Sequence, residues 1–354
     1  MSNVVAFQPK LRPDRAQNLA ALLEGVSQHR RRPDDVFWLK ENAELLNLLV
    51  ATSEPLMPGA LAPFEAFYDE IEERLRFYPQ YYRFFLSICL DLEDLGLDGC
   101  KGERLCDWVA SVGLAEAELS DLQRAEARRL LARRGAADVV SSGDLVARLR
   151  RFVERPETFA LPNKKAAYEL THIVYYLSEY GKYDPELRPE AMMSLEYTGL
   201  VAYLDQNHDL LAEVCTAIQF AGGTPSQIWV EDVARAHAGI LPVPAETEMP
   251  VMDAFHAYLV TGWGQAVAGA PCFEAEVPQG GVQFVDQLQA KSALRGLSEF
   301  LFDLGAARHG DWSGMRGRMI PFLDAHSRAI VQRAEASSDR FGDFFEGFAR
   351  ASGS

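Results

Sequence analysis

Tyr168-Glu-Leu-Thr-His-Ile-Val-Tyr-Tyr-Leu-Ser-Glu-Tyr-Gly181 opens polar, turns strongly apolar and ends on a glycine. Its apolar side chains recur at helical spacing. The stretch therefore predicts a buried helix over 166–180, with Gly181 at or just past the C-cap. Glu169 and His172 stand three apart and share one helix face. A carboxylate and an imidazole on a mostly apolar helix need partners, and a metal ion is one candidate. The other is plain: a core histidine hydrogen-bonded to a backbone carbonyl.

Outward from this stretch the same period holds. Toward the N-terminus, helices are predicted over 15–28, 33–51, 64–77, 81–95, 106–112, 119–134 and 143–153. Toward the C-terminus they are predicted over 188–204, 205–220, 225–239, 252–268, 286–304, 319–336 and 340–349. Residues 1–14 read as a loose polar tail, 240–250 as a proline-rich connector, and 271–284 as a small hairpin or a loop. Strand signals are otherwise nearly absent, so the fold expected is all-α. It is pictured as an array of helical hairpins, with two related halves or an α/α toroid as possible arrangements. A polar, proline-containing stretch at 155–165 would separate an N-terminal half, 1–154, from a C-terminal half, 166–354, the two forming one compact unit. Ser87-Ile-Cys-Leu-Asp-Leu-Glu-Asp-Leu-Gly96 and Glu213-Val-Cys-Thr-Ala-Ile-Gln-Phe-Ala-Gly222 share a cysteine and a closing glycine, a faint internal echo.

The 354 residues are 48% hydrophobic and 24% charged, a composition that can bury a full core. A net charge of -16 opposes general nucleic-acid binding, because the phosphate backbone would repel the chain. No run of about 18 apolar residues suggests a membrane span. Residues 1–17 carry no apolar signal-peptide core, and five scattered cysteines form no CxxC pair. These features point to a cytoplasmic protein with reduced thiols. Two basic groups stand out. His29-Arg-Arg-Arg32 reads as a complement to a helix dipole. Arg124, Arg128, Arg129, Arg133 and Arg134 read as a solvated face or, more sharply, as a lid over an anionic substrate.

Candidate chemistry gathers in the second half. Three of the seven histidines have an acid three residues earlier: Glu169/His172, Asp205/His208 and Asp253/His256. With 51 acids in the chain, roughly one such pair would arise by chance. Carboxylate-x-x-His pairs on facing helices are how dinuclear iron or manganese sites are built in bundles. Asp205, Asp209 and Glu213 follow at i, i+4 and i+8, an acidic stack that calls for a compensating cation unless it is solvated. The metal-ligand set expected is Glu169, His172, Asp205, Asp209, Glu213 and His256. His208 is the weakest of the three histidines, because Asp205 could instead cap its helix. Carboxylates and imidazoles without thiolate suit iron, manganese or zinc.

Two resemblances bear on this. The segment Glu-Leu-Thr-His-x-x-Tyr-Tyr-Leu-x-Glu-Tyr-Gly, followed by Asn207-x-Asp-Leu-Leu-x-Glu213, resembles a pattern in bacterial all-helical proteins with no assigned activity. It implies that His172, Asp209 and Glu213 share a site. Asp205-x-x-x-Asp209-x-x-x-Glu213 is also similar in spacing to the second metal motif of class I terpene synthases, and Asp91-Leu-Glu-Asp94 sits roughly where their first would be. That resemblance implies magnesium. The chain departs from the pattern: it lacks the adjacent Asp pair, carries Asp209 where Ser or Thr is usual, and has Arg340-Phe341 in place of Arg-Tyr.

The function expected is a metal-dependent enzyme acting on a small-molecule substrate, with no nucleic-acid or membrane partner. The alternatives are a non-catalytic helical-repeat binding protein and a magnesium enzyme of the terpene-synthase kind.

Overall fold

The structure, a computed structural model, describes residues 14–136, 143–245, 253–288 and 290–350. The described residues are mostly helical, with helical hairpins as the repeating unit and one two-stranded ribbon. The predicted tail 1–14 lies outside them except for Asp14, as does most of the second half of the 240–250 connector.

The first helices are α1 (Arg15–Glu24), α2 (Val36–Thr52), α3 (Glu65–Phe77) and α4 (Tyr82–Asp94). They are followed by α5 (Lys101–Val112), α6 (Asp121–Ala132), α7 (Gly143–Val153) and the single turn α8 (Pro156–Phe159). Next come α9 (Lys164–Leu177), α10 (Pro189–Asp205), α11 (His208–Phe220) and α12 (Gln227–Gly239). Strand β1 (Ile240–Pro244) precedes α13 (Phe255–Val267), and β2 (Val282–Asp286) follows it. The chain ends with α14 (Leu294–Leu304), α15 (Trp312–Phe322), α16 (Ala325–Ala336) and α17 (Phe341–Ala349).

Several boundaries moved for physical reasons. The predicted helix 205–220 is not one piece. Gln206 takes a left-handed backbone, φ 54°, which ends α10 at Asp205 and lets α11 start afresh at His208. The predicted helix 319–336 breaks at Leu323, which has an extended backbone, with Asp324 capping α16 through Ser327 N–H. The ribbon pairs Ile240 with Asp286 and Pro244 with Val282, antiparallel. Pro242 and Pro244 hid β1 from a reading of the sequence, yet a ribbon of two strands is all edge and tolerates them.

Helix α11 is the centre of the packing. It lies against α13, α10, α12 and α9, while α2 bridges from α4 to α13. One cluster of buried apolar side chains runs from Leu19 to Ala349 and includes Phe159 of α8 within the 155–165 stretch. The opening stretch is α9. Asn163 caps it by accepting from Ala166 N–H, and its apolar face buries Leu170, Ile173 and Val174. It ends in three consecutive left-handed residues, Glu179, Tyr180 and Gly181. At Gly181 (φ 86°) a Cβ would also meet the Phe220 ring at 2.6 Å, so glycine is required twice over.

Each basic group turns some of its arginines into ion pairs within the fold. Beyond α1 the chain winds as a π-helix over Gly25–Arg30, and this turns Arg30 inward. The Arg30 guanidinium is fully buried. It makes paired bonds to Glu41 at 3.0 and 3.1 Å and to Asp253 at 2.8 and 3.0 Å, with a fifth to the Val282 carbonyl at 2.9 Å. Arg129 pairs with Glu179, Arg133 with Asp91 and Asp94, and Arg134 with Glu93 and Asp94. These ion pairs tie α6 to α4 and to the end of α9. They replace the predicted lid.

Candidate functional site

Helices α2, α9, α11 and α13 bring five titratable side chains to one cleft: Glu44, His172, Asp209, Glu213 and His256. His172 and Tyr168 lie one turn apart on α9, and His172 Nδ1 donates to the Tyr168 carbonyl at 2.8 Å. That is the plain alternative raised by the sequence. It is only half of the environment, because the same nitrogen lies 3.7 Å from Glu213 Oε2. With its proton on Nδ1, the ring leaves Nε2 as the atom able to accept or to ligate.

Glu213 is almost fully buried, and its side chain accepts from Thr171 Oγ1 at 2.5 Å. Burial pushes its carboxyl above the ordinary range, against the charges of His172 and His256 and the Thr171 bond. Asp209 accepts from the Tyr168 hydroxyl at 2.9 Å and from Leu210 N–H at 2.9 Å. His256 stands between two carboxylates, with Nδ1 3.4 Å from Glu44 Oε2 and Nε2 3.8 Å from Asp209 Oδ2. Burial would lower its pKa, but Glu44, with Glu213 and Asp209 behind it, outweighs that and lifts it to about 9. Burial likewise opposes ionisation of Glu44, and His256 more than reverses this, so Glu44 titrates below the usual carboxylate range. The site is thus an imidazolium held among carboxylates, beside a second imidazole of fixed orientation.

Four of these side chains, all but Asp209, line a cavity of about 70 Å³ together with Asn47, Tyr175, Tyr180 and Trp263 and with Leu48, Leu259 and Val260. Tyr175 also donates to the Glu213 carbonyl at 2.7 Å, which fixes α9 against α11.

Of the six residues predicted as ligands, His172, Asp209, Glu213 and His256 meet here. Glu169 instead faces Lys165, one turn back on α9, at 3.9 Å. Asp205 faces Lys164 at 3.4 Å, and because α10 ends there it shares no helix with Asp209 and Glu213. The acidic stack of three does not exist. Asp253 is bound by Arg30, and His208 by Asp232 at 3.2 Å, so neither adds to the cleft. The terpene-synthase likeness fails on the same geometry. Its second motif is split between two helices, and Asp91 is buried in contact with Arg133 and Ser87.

Glu44 was missed. It lies in the first half with no histidine at helical spacing. A carboxylate amid Leu45, Leu46, Leu48 and Leu49 was the one available signal. Arg30 was missed as a support. It binds Glu41, one turn before Glu44 on α2, and Asp253, one turn before His256. It therefore clamps the two helices that carry that pair.

The donor types suit iron, manganese or zinc, and His172 has the polarisation of a ligating histidine, with its other nitrogen on a carbonyl. Their placement is looser. Among the described residues no group of three or more His, Cys, Asp and Glu side chains is gathered as a metal ion's ligand set. Among the same residues no helix is long and apolar enough to cross a membrane.

A family model described as "Domain of unknown function (DUF6902)" matches residues 1–351, so the chain belongs to that family. No curated protein and no solved structure matches the chain.

Proposed function

We propose that this member of the family is an enzyme acting on a small molecule at the cleft between α2, α9, α11 and α13, and that the cleft takes a divalent metal ion. The observation that carries the reading is the convergence of two imidazoles and three carboxylates from four helices. The three carboxylates outnumber the one imidazolium, an excess of negative charge that a divalent cation would balance, and the Nδ1 bond of His172 leaves its Nε2 as the nitrogen able to ligate. His172, Asp209, Glu213, Glu44 and a deprotonated His256 would be the ligands. Bound there, the metal would supply Lewis-acid or redox chemistry. The protein's part is to hold the donors. Tyr168 fixes Asp209, Thr171 fixes Glu213, and the Tyr168 carbonyl fixes the His172 tautomer.

A second reading rests on His256, whose two ring nitrogens both face carboxylates. In it the cleft is a metal-free proton-transfer site, with His256 as a charged anchor and His172 Nε2 as the acid or base.

Elemental analysis of the purified chain, native and His172→Ala, separates the two. Iron, manganese or zinc in the native protein, lost in the variant, supports the first. No metal in either, with a stable fold in both, removes the first and leaves the second.

A further inference from the structure

The floor of the cleft carries a group that the carboxylates and imidazoles do not account for. Trp263 is 3% exposed and forms part of the cavity wall, yet its indole N–H has no hydrogen-bond partner among the described residues. A buried donor left unpaired is costly, so this one calls for an acceptor. The wall around it is fixed in advance. The Tyr175 ring meets Trp263 edge-on at 4.8 Å. Tyr180 is set by its left-handed backbone and backed by Arg129, whose guanidinium lies 4.8 Å from the ring centre.

We propose that this cavity binds the neutral, acceptor-bearing end of a small organic molecule, an amide or carbonyl group, with its oxygen on Trp263 Nε1–H. The proposal rests on reading the cleft as a substrate site and names what enters it. Three observations select the class. The indole N–H can only donate, so an ammonium group, which also only donates, cannot satisfy it. Glu44 and Glu213 line the same cavity with His172 and His256, and the His256 charge is already taken by Glu44, so a further carboxylate or phosphate would bring in a negative charge without a counter-ion of its own. The volume of about 70 Å³ is roughly twice the share of one water molecule in the liquid, room for a group of a few heavy atoms. His172 and His256, each more than a third exposed, stand at the mouth, where the rest of a larger substrate would emerge.

The test uses full-length ¹⁵N-labelled protein treated with a chelator, and follows the indole N–H signal of Trp263. The signal is assigned by Trp263→Phe, or, if that variant does not fold, by cross-relaxation to the methyl groups of Leu259 and Val260. Formamide and acetamide are titrated, with formate and methylammonium as charged counterparts. The expected result is a saturable shift of this indole signal with the amides, and binding at least about tenfold weaker for both ions. A signal that no amide moves would mean an ordered water only and would overturn the proposal. So would an equal response to formate or methylammonium. Metal is absent throughout, so a failed amide titration leaves the metal reading standing, and a failed metal analysis leaves this proposal standing.

Discussion

Glu44 Oε2 lies 3.4 Å from His256 Nδ1, although 212 residues separate the two in the sequence. This contact joins the first half of the chain to the candidate site in the second, and it sets the charge state of the cleft.

The pair has a defined pH window. His256 has a folded pKa of about 9 against an ordinary value of 6.5. Its contribution to stability is therefore full below 6.5 and is lost as pH rises through about 9. Glu44 runs the other way. Its folded pKa is depressed, so its contribution is present above its ordinary value of 4.5 and is lost as pH falls through the folded value. NMR titration of the His256 ring should give a midpoint near 9 in the native chain. Glu44→Gln should move it toward 6.5. A native midpoint already near 6.5 would show that the contact does not form in solution.

Arg30 should matter more than any surface arginine. Its fully buried guanidinium bonds two carboxylates, so Arg30→Met leaves Asp253 buried without its cation and Glu41 with Arg31 as its remaining partner. Removing one partner from such a group costs about 3–5 kcal/mol. Arg295→Met, which breaks an exposed, solvent-screened pair with Glu299, should leave stability nearly unchanged. Urea unfolding of the two variants checks the contrast.

His237 should govern part of the acid sensitivity. It is stacked on Tyr258 at 5.1 Å and bonded to Thr261 Oγ1 at 3.1 Å, and burial lowers its pKa to about 4 from 6.5. The unfolded chain binds this proton more readily, so stability falls as pH drops from 6.5 to about 4. The loss attributable to His237 approaches roughly 3 kcal/mol at the bottom of that window. His237→Gln should flatten the slope of stability against pH there. An unchanged slope would contradict the assignment.

Gly199 sits on α10 where a Cβ would lie 2.5 Å from the ring of the buried Trp229. Gly199→Ala should therefore destabilise by about 1–3 kcal/mol through overpacking, despite alanine's better helix propensity. A calorimetric melting temperature that rises would refute the contact.

The helices were legible because burial of one apolar face imposes a 3.6 period, and α9, α11 and α13 show it plainly. His172, Asp209, Glu213 and His256 were legible because polar groups on those faces are conspicuous. Local spacing then misled. Glu169 and Asp205 have the right offsets, but a lysine on a neighbouring turn or helix takes each of them. One left-handed residue, Gln206, cut the acidic stack, and nothing in its identity announced that. Glu44 and Arg30 depend on which helices become neighbours, and no periodicity carries that. In Arg30's case, a run of four basic residues disguised the one that turns inward.

Glu44, and not Glu169, is expected to complete a metal centre with His172, Asp209, Glu213 and His256. Equilibrium dialysis against manganese(II), read by the loss of the free-ion EPR signal, tests it on the native chain, Glu44→Gln and Glu169→Gln. The expected result is binding by the native chain, binding weakened by at least about tenfold in Glu44→Gln, and native-like binding in Glu169→Gln. No binding by the native chain, or loss in Glu169→Gln with Glu44→Gln unaffected, would contradict it.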